Sequence, residues 1–345
     1  MGVTKAVVWL AMGLVALGVI QSPAHASECK LRQLASVTVS LDPGGAVVVP
    51  VTLNGKPLVM HLSLASAYSA VYEGVAESIN LKSDSWPNML SSNEYHAGGG
   101  DELRRQVDIP KVRIGDLTFT KNTFWVAPRP DKVSATSGDS GSMSAGFLGI
   151  NMFANVDVEL DLANRSLAFY AQDHCPGKVV YWSGDFVVIP LRTGEPAGEL
   201  YIDAVLNGKR IQSSFNAGGR MSSFSGEIAR QLFHWDEHSP SVTSEPGPDG
   251  KSQLYVGSMN LKIEGLAIDG GRLLLFPGGC SELITVHGAF GYGCQLYGAH
   301  PLHLGTSILE KLHLYFATKE KKLYVTAAKS RAVDPEAPQN GHSAE

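Results

Sequence analysis

The chain has 345 residues, a formal net charge of −5 and 18% charged residues. This length exceeds what one hydrophobic core usually serves, so two lobes are expected. The small negative charge, without a long run of basic residues, argues against nucleic acid as a partner.

The first 26 residues are typical of a secretory signal peptide. Lys5 supplies a charge before the apolar run 7–20, and the small residues Ala24 and Ala26 mark a cleavage site. The apolar run is shorter than the roughly 20 residues of a membrane-spanning helix, so cleavage is favoured over the alternative, retention as an anchor. We therefore expect a periplasmic or secreted protein that begins near Ser27 and has no transmembrane segment after cleavage.

Most of the remaining chain has the pattern of β-strands. Residues 37–41 alternate between apolar and polar, and residues 46–53 form a valine-rich run of the buried type. The Asn-Gly pairs at 54–55 and 207–208 predict type I′ hairpin turns, because both residue types tolerate positive φ. Helical patterns are short, at 73–79, 226–232 and 306–311. The predicted fold class is therefore mainly β with a few short helices.

The chain carries an internal duplication. Three pairs of positions are each 153 residues apart (208 − 55, 216 − 63 and 222 − 69): Gly55 and Gly208, Ser63 and Asn216, Ser69 and Ser222. Such a repeat predicts two similar lobes, with 36–172 superposing on 186–328. The predicted division is a signal peptide at 1–26, lobe one at 27–172, a linker at 173–185, lobe two at 186–328 and a disordered tail at 329–345.

Both copies of the repeat resemble the active-site loop of aspartic peptidases, of the retropepsin-like or bilobal pepsin-like type. That family has a strand followed by Asp-Thr-Gly-Ala, two further residues and a Ser. In this chain the family Asp falls on Ser63 and Asn216, and the final Ser on Ser69 and Ser222. A Leu-Gly turn into a short helix, typical of the end of each family lobe, follows at 147–150 and 303–306. The resemblance implies two β-barrel lobes related by a pseudo-twofold axis, with a cleft between them.

The same resemblance implies that the catalytic pair is absent. Aspartic peptidases use two carboxylates that share one proton. The hydroxyl of Ser63 does not ionise usefully near neutral pH, and the amide of Asn216 does not ionise at all. Leu64 and Ala217 stand where the family has supporting threonines. We therefore expect a catalytically inactive protein that needs no cofactor and binds a peptide or protein partner in the cleft, where main-chain hydrogen bonds need no catalytic group.

The expected binding surface consists of small and polar residues of the two loops, together with a glycine-rich segment at the position of the family's substrate-covering flap. These residues are Ser63, Ala65, Ser66, Ser69, Asn216, Gly218, Gly219, Ser222, Gly98 and Gly99. Two alternatives stay open. One is an active peptidase, either of the aspartic type or based on Ser63, and the other is a structural envelope-interaction protein.

Histidines suggest two further interpretations. His61 and Ser63 are two residues apart on a strand and share a face, so a histidine-activated serine is conceivable, but no third orienting acid is evident. His300 and His303 would need further ligands to hold a metal, and none is apparent nearby, so we interpret both as surface histidines. No metal site is predicted.

The four cysteines suit an oxidising compartment. Cys280 and Cys294 bracket a glycine-containing loop and are predicted to form one bridge. A second bridge, Cys29 to Cys175, would join the two ends of lobe one. Four cysteines allow three connectivities, and metal ligation is disfavoured because no Cys-x-x-Cys pair exists.

Overall fold

The computed structural model of the chain describes residues 30–329 with internal gaps. The gaps are 82, 85–95, 98–100, 103–104, 128–143, 183–184, 195–198, 248–249, 251, 258, 270, 277–282, 287–288 and 293–299. The predicted signal peptide, the two flap glycines Gly98 and Gly99, and the cysteines Cys29, Cys280 and Cys294 lie outside the described residues, as does nearly all of the predicted tail.

The described residues of lobe one are mainly strands. The strands are β1 Gln33–Thr38, β2 Ser40–Leu41, β3 Val47–Leu53, β4 Lys56–Leu62, β5 Ala70–Tyr72, β6 Ser83–Asp84, β7 His96–Ala97, β8 Asp101–Glu102, β9 Arg105–Ile114, β10 Leu117–Ala127, β11 Gly146–Leu148, β12 Asp157–Asp161 and β13 Ser166–Tyr170. The helices are α1 Glu73–Ser78 and two 3-10 turns, Ile150–Phe153 and Leu162–Asn164.

Lobe two repeats this composition. Its strands are β14 Val187–Pro190, β15 Arg192–Thr193, β16 Leu200–Leu206, β17 Lys209–Phe215, β18 Ser222–Ser225, β19 Val242–Pro246, β20 Ser252–Val256, β21 Asn260–Ile263, β22 Leu266–Asp269, β23 Leu273–Phe276, β24 Leu283–Val286, β25 Ala289–Tyr292, β26 Leu302–Leu304, β27 Leu312–Ala317 and β28 Lys322–Ala327. Its helices are α2 Gly226–Phe233 and α3 Thr306–Leu309. The predicted fold class, mainly β with a few short helices, is confirmed.

Each lobe is built around its own sheet. In lobe one the strands β3-β4-β11-β5-β10-β9 close into a six-stranded barrel, because β9 also pairs with β3. In lobe two the order is β19-β20-β23-β18-β26-β17-β16-β21-β22. The pairing pattern repeats, since β4 runs parallel to β11 and β17 runs parallel to β26. Within the described residues, no helix has the length and apolar character needed to cross a bilayer.

Equivalent strands bury equivalent side chains. In β3 the buried positions are Val47, Val49, Val51 and Leu53, and in β16 they are Leu200, Ile202, Ala204 and Leu206. This alternation places one face of each strand in the core. Each of the two strands leads into a hairpin whose asparagine and glycine both have positive φ, with Asn54 at 47°, Gly55 at 85°, Asn207 at 44° and Gly208 at 83°. Positive φ at both central residues is the geometry of the predicted type I′ turns.

A third sheet joins the lobes. Its order is β1-β13-β12-β27-β28-β14, and the pairing of β12 with β27 crosses from one lobe to the other. Val158 and Leu160 point from β12 into the hydrophobic core. Because the lobes share this sheet, their relative position is fixed by backbone hydrogen bonds.

The opposite face of the joining sheet carries a buried polar layer, covered by the segment after β13. His174 Nε2 lies 2.6 Å from Asp157 Oδ2, and both side chains are almost fully buried. Glu159 accepts hydrogen bonds from the hydroxyls of Tyr170, at 2.6 Å, and Tyr181, at 2.8 Å. Burial and the Glu159 carboxylate raise the pKa of Tyr170 above its usual range, so this hydroxyl stays a donor. The layer attaches the interlobe segment to the sheet.

Candidate functional site

The two repeated loops begin with the same backbone contacts. Ser63 N donates to Leu148 O at 2.8 Å, and Asn216 N donates to Leu304 O at 2.8 Å. The main chain after β4 is therefore tied to the end of β11, and the main chain after β17 is tied to the end of β26 in the same way. This contact fixes where the Ser63 and Asn216 side chains start.

The far ends of the loops are held by buried serines. Ser69 Oγ accepts the N–H of Gly149 at 2.9 Å, and Ser222 Oγ accepts the N–H of Gly305 at 2.9 Å. Both hydroxyls are fully buried. The predicted site residues Ser69 and Ser222 are thus structural supports of the loops and are not exposed for contact with a ligand.

At the seam between the lobes, the Asn216 loop contacts the start of β3 and the turn before it, which lie beside the Ser63 loop. Val47 N donates to Ala217 O at 2.7 Å, and Arg220 N donates to Gly44 O at 2.9 Å. The register of β3 with β4 pairs Val48 with His61, and its continuation places Ala46 opposite Ser63. Neighbouring strands are about 4.8 Å apart, so the Ser63 loop adjoins the Asn216 loop through one intervening strand end.

The side chains of Ser63 and Asn216 are uncharged. Ser63 and Asn216 are both partly exposed, and no hydrogen bond joins them in the part of the chain that the structure describes. Asn216 Oδ1 instead accepts the N–H of Gly218 at 3.0 Å, which closes its own turn. Leu64 and Ala217 are buried in the cores of their lobes.

The remaining predicted loop residues line the same turns. Ser66 Oγ donates to Tyr68 O at 2.8 Å, so its hydroxyl is used within the loop. Ala65 and Gly219 are partly exposed and Gly218 is exposed. Apart from the two buried serines, the structure brings the predicted residues of each described loop to the surface of the seam.

An acid that the sequence analysis missed lies beside the first loop. Asp42 Oδ2 is 3.2 Å from His61 Nε2, and the other oxygen, Oδ1, accepts the N–H of Ala46 at 2.8 Å. The interpretation that no acid orients His61 was therefore wrong. No local sequence pattern marks this contact, because the turn between β2 and β3 folds Asp42 back on β3 and His61 lies on the neighbouring strand β4.

The interpretation of His300 as a surface residue was also wrong, whereas His303 is partly exposed. His300 is 6% exposed and its ring stacks on Tyr201 with 4.1 Å between ring centroids. Ser214 Oγ lies 2.7 Å from His303 Nδ1. Burial lowers the pKa of both histidines to about 4, with the neighbouring His303 contributing to the shift at His300. Both imidazoles are therefore neutral at physiological pH.

The same region holds a buried carboxyl group, Glu199. It is 9% exposed, and burial raises its pKa to about 8. Glu199 Oε2 lies 3.9 Å from His300 Nε2. Across the described ranges, no group of three or more histidine, cysteine, aspartate or glutamate side chains is arranged to hold a metal ion.

The disulfide prediction is only partly visible. Cys175 is disulfide-bonded. The other three cysteines lie outside the described residues, so the pairings Cys29–Cys175 and Cys280–Cys294 stay predictions.

Comparison with known proteins gives a family for the first lobe. Residues 49–152 match the model of the aspartyl protease family. Among solved structures, the aspartic proteinase from Irpex lacteus is similar, with 14% sequence identity and a TM-score of 0.46, over 86% of this chain and 97% of that chain. No curated protein matches the chain. The match to the aspartic peptidase superfamily therefore lies over residues 49–152, within the first lobe.

Proposed function

We propose that the chain is an exported, catalytically inactive member of this superfamily that binds an extended peptide, or an extended segment of a protein partner, along the seam between the lobes. The observation that carries the proposal is that the Asn216 loop contacts the strand end beside the Ser63 loop, with Ser63 directly after β4 and Asn216 directly after β17. Neither side chain can pass a proton to and from a water molecule as a carboxylate pair does.

The surroundings of these two residues support the same conclusion. Asn216 Oδ1 is engaged by the Gly218 N–H. Leu64 and Ala217 offer no hydroxyl that could support a catalytic pair. An extended ligand can still bind, because its main chain supplies donors and acceptors to loop backbone groups without any catalytic side chain.

The first experiment measures cleavage and binding together. The mature protein is mixed with a fluorogenic peptide library from acid to neutral pH, and binding of the same peptides is measured by fluorescence polarisation. We expect binding without cleavage and no affinity for pepstatin. Ser63→Trp, which fills the seam, should abolish binding, whereas Glu77→Trp on the exposed surface of α1 should leave it unchanged. If both variants still bind the peptides, a ligand at the seam is contradicted. If the unmodified protein binds no peptide, a structural role is favoured.

A second candidate function rests on the contact between Asp42 and His61. An acid that holds a histidine two residues from a serine on the same strand face has the components of a histidine-activated nucleophile. Against it, no hydrogen bond between His61 and Ser63 is present among the described residues. Cleavage by the unmodified protein that is abolished by both Ser63→Ala and Asp42→Asn would establish this alternative and overturn the inactive reading.

Inactivity has two explanations: the missing carboxylates at positions 63 and 216, and the missing hydrogen bonds from positions 64 and 217. Restoring the carboxylates alone separates them. Ser63→Asp combined with Asn216→Asp returns both acids, but Leu64 and Ala217 still provide no supporting hydrogen bonds. We expect little or no cleavage by this double variant.

A further inference from the structure

The strand face that carries Asn216 is polar well beyond the loop. Phe215 points from β17 into the core, so Gln212, Ser214 and Asn216 share the opposite face. Tyr201 pairs with Ser214 from β16, and His303 pairs with Ser214 from β26. We refer to Tyr201, Gln212, Ser214 and His303 as the Asn216 face.

Two buried polar atoms beside this face have no hydrogen-bond partner among the residues that the structure describes. They are Glu199 Oε2 and His300 Nε2, which lie 3.9 Å apart on side chains that are 12% and 7% exposed. Buried polar atoms normally have partners, so an unpartnered pair marks a place where a hydrogen-bonding group from outside can be accommodated. Tyr201 and Gln212, which border the pair, are partly exposed.

The two atoms differ in hydrogen-bonding character. His300 Nδ1 lies 3.4 Å from Gln212 Oε1, an acceptor. We assign the ring proton of the neutral imidazole to Nδ1 on this ground, which makes Nε2 an acceptor. The raised pKa of Glu199, caused by burial, keeps its carboxyl group protonated near neutral pH and therefore able to donate. A donor and an acceptor lie side by side, and neither is charged.

The equivalent face of lobe one is aromatic. Phe147 pairs with His61 there, at the position where His303 pairs with Ser214 in lobe two. Phe147, Tyr68 and Tyr72 pack against the buried cluster that contains Trp125, and the rings of Tyr68 and Trp125 meet edge to face at 6.1 Å between centroids. We refer to these four aromatic residues as the Ser63 face.

We propose that Glu199 and His300, together with the Asn216 face that borders them, form a subsite for an uncharged carboxamide, the side chain of glutamine or asparagine. The Ser63 face takes an aromatic or apolar side chain. The carboxamide oxygen accepts from Glu199, and its N–H group donates to His300 Nε2. A charged side chain is disfavoured because it would be desolvated next to neutral partners. This inference rests on the proposed peptide binding and specifies the ligand's chemistry.

The test uses capped hexapeptides in which the central pair is phenylalanine with glutamine, leucine or glutamate, flanked by alanines. Both orders of the central pair are used, because the direction of a bound chain is not fixed. With the mature protein at neutral pH, titration calorimetry should show the glutamine peptide binding about tenfold more tightly than the other two, the scale of one or two hydrogen bonds. Equal affinities, or tighter binding of the leucine peptide, would overturn the subsite while leaving peptide binding intact. No binding by any peptide would overturn the proposed function itself.

Two variants assign the preference to the unpartnered pair. His300→Phe keeps a ring to stack on Tyr201 but removes the acceptor, and Glu199→Leu removes the donor. Each should lose the tenfold preference for glutamine and keep the affinity for the leucine peptide. Glu77→Leu, the same substitution on the exposed surface of α1, should keep the preference. A glutamine preference that survives in both variants would contradict the assignment. If one substitution prevents folding, the other variant still gives the test.

Discussion

The two lobes share the hydrogen bonds that support their loops, but they differ in the side chains that flank these loops. The supports are the same in both lobes: a buried serine that accepts a glycine N–H, at Ser69 with Gly149 and at Ser222 with Gly305. The flanking faces are different, since one is aromatic around Phe147 and the other is polar. The difference teaches that the fold depends on backbone geometry at few positions, while binding chemistry is free to diverge between the lobes.

The largest expected effect tests the shared supports. A Cβ at Gly149 would lie 2.2 Å from Tyr68 O, and a Cβ at Gly305 would lie 2.5 Å from the backbone of Met221. Backbone cannot move aside as a side chain can, so Gly149→Ala and Gly305→Ala should each lower the free energy of unfolding by about 3 kcal/mol or more. Urea unfolding measures both.

Gly74→Ala is the matched control for these variants. Gly74 lies in α1 with no atom within 4 Å of the added Cβ, and alanine favours helix, so stability should be unchanged or slightly raised. If only one of the two seam glycines proved sensitive, the two loops would not be equivalent supports, and the comparison would fail.

The same supports explain how much the sequence could predict. The Asn-Gly hairpins and the valine-rich strands follow from local rules, because turn geometry and strand alternation depend on neighbours in sequence. The repeat spacing located Ser63 and Asn216. The role of Asp42 was missed because it reaches His61 across the β2–β3 turn and an intervening strand, a contact that no local pattern encodes. The burial of His300 was missed because an isolated histidine carries no periodic signal of burial.

Removing a supporting hydroxyl should have a smaller effect that is again similar in the two lobes. Ser69→Ala and Ser222→Ala each leave a buried glycine N–H without its acceptor, which costs about 2 kcal/mol in the free energy of unfolding. Ser69 also donates to Asn151 Oδ1, but Asn151 is exposed and can bind water instead. Chemical denaturation of the two variants should give losses that agree closely, whereas Ser78→Ala on the exposed surface of α1 should cost little. A loss confined to one lobe would contradict equivalent supports.

The divergent face of lobe two predicts a pH dependence. The folded pKa of Glu199, about 8, is above its unfolded value, so its contribution to stability is lost as pH rises towards 8. The folded pKa of His300 and of His303, about 4, is below the unfolded value near 6.5, so their contributions are gained as pH rises from about 4 to 6.5. Together these three groups place the maximum of stability near pH 6.5 and a fall above it.

Substitution of Glu199 isolates its contribution to the fall in stability above pH 6.5. Glu199→Gln cannot ionise, so between about pH 6.5 and 8 it should remove a loss of about 1.5 kcal/mol in the free energy of unfolding. Denaturation curves of both proteins across this range measure the difference, and Glu77→Gln, at an exposed acid on α1, is the matched control. An unchanged slope in the Glu199 variant would show that this carboxyl group is ionised in the folded protein, which would remove the donor from the proposed carboxamide subsite.

The smallest expected effect extends the comparison to the hairpins that precede the loops. Gly55 and Gly208 have φ of 85° and 83°, and no atom lies within 4 Å of an added Cβ at either position. Gly55→Ala and Gly208→Ala therefore test backbone strain alone, and each should cost about 1 kcal/mol, because a residue with a Cβ rarely adopts this conformation. Gly257→Ala, where space is also open and no positive φ applies, should be close to neutral. Equal losses at 55 and 208 would extend the equivalence of the lobes beyond the seam, whereas a neutral result at either glycine would show that its turn relaxes and that the symmetry of the framework ends at the loops.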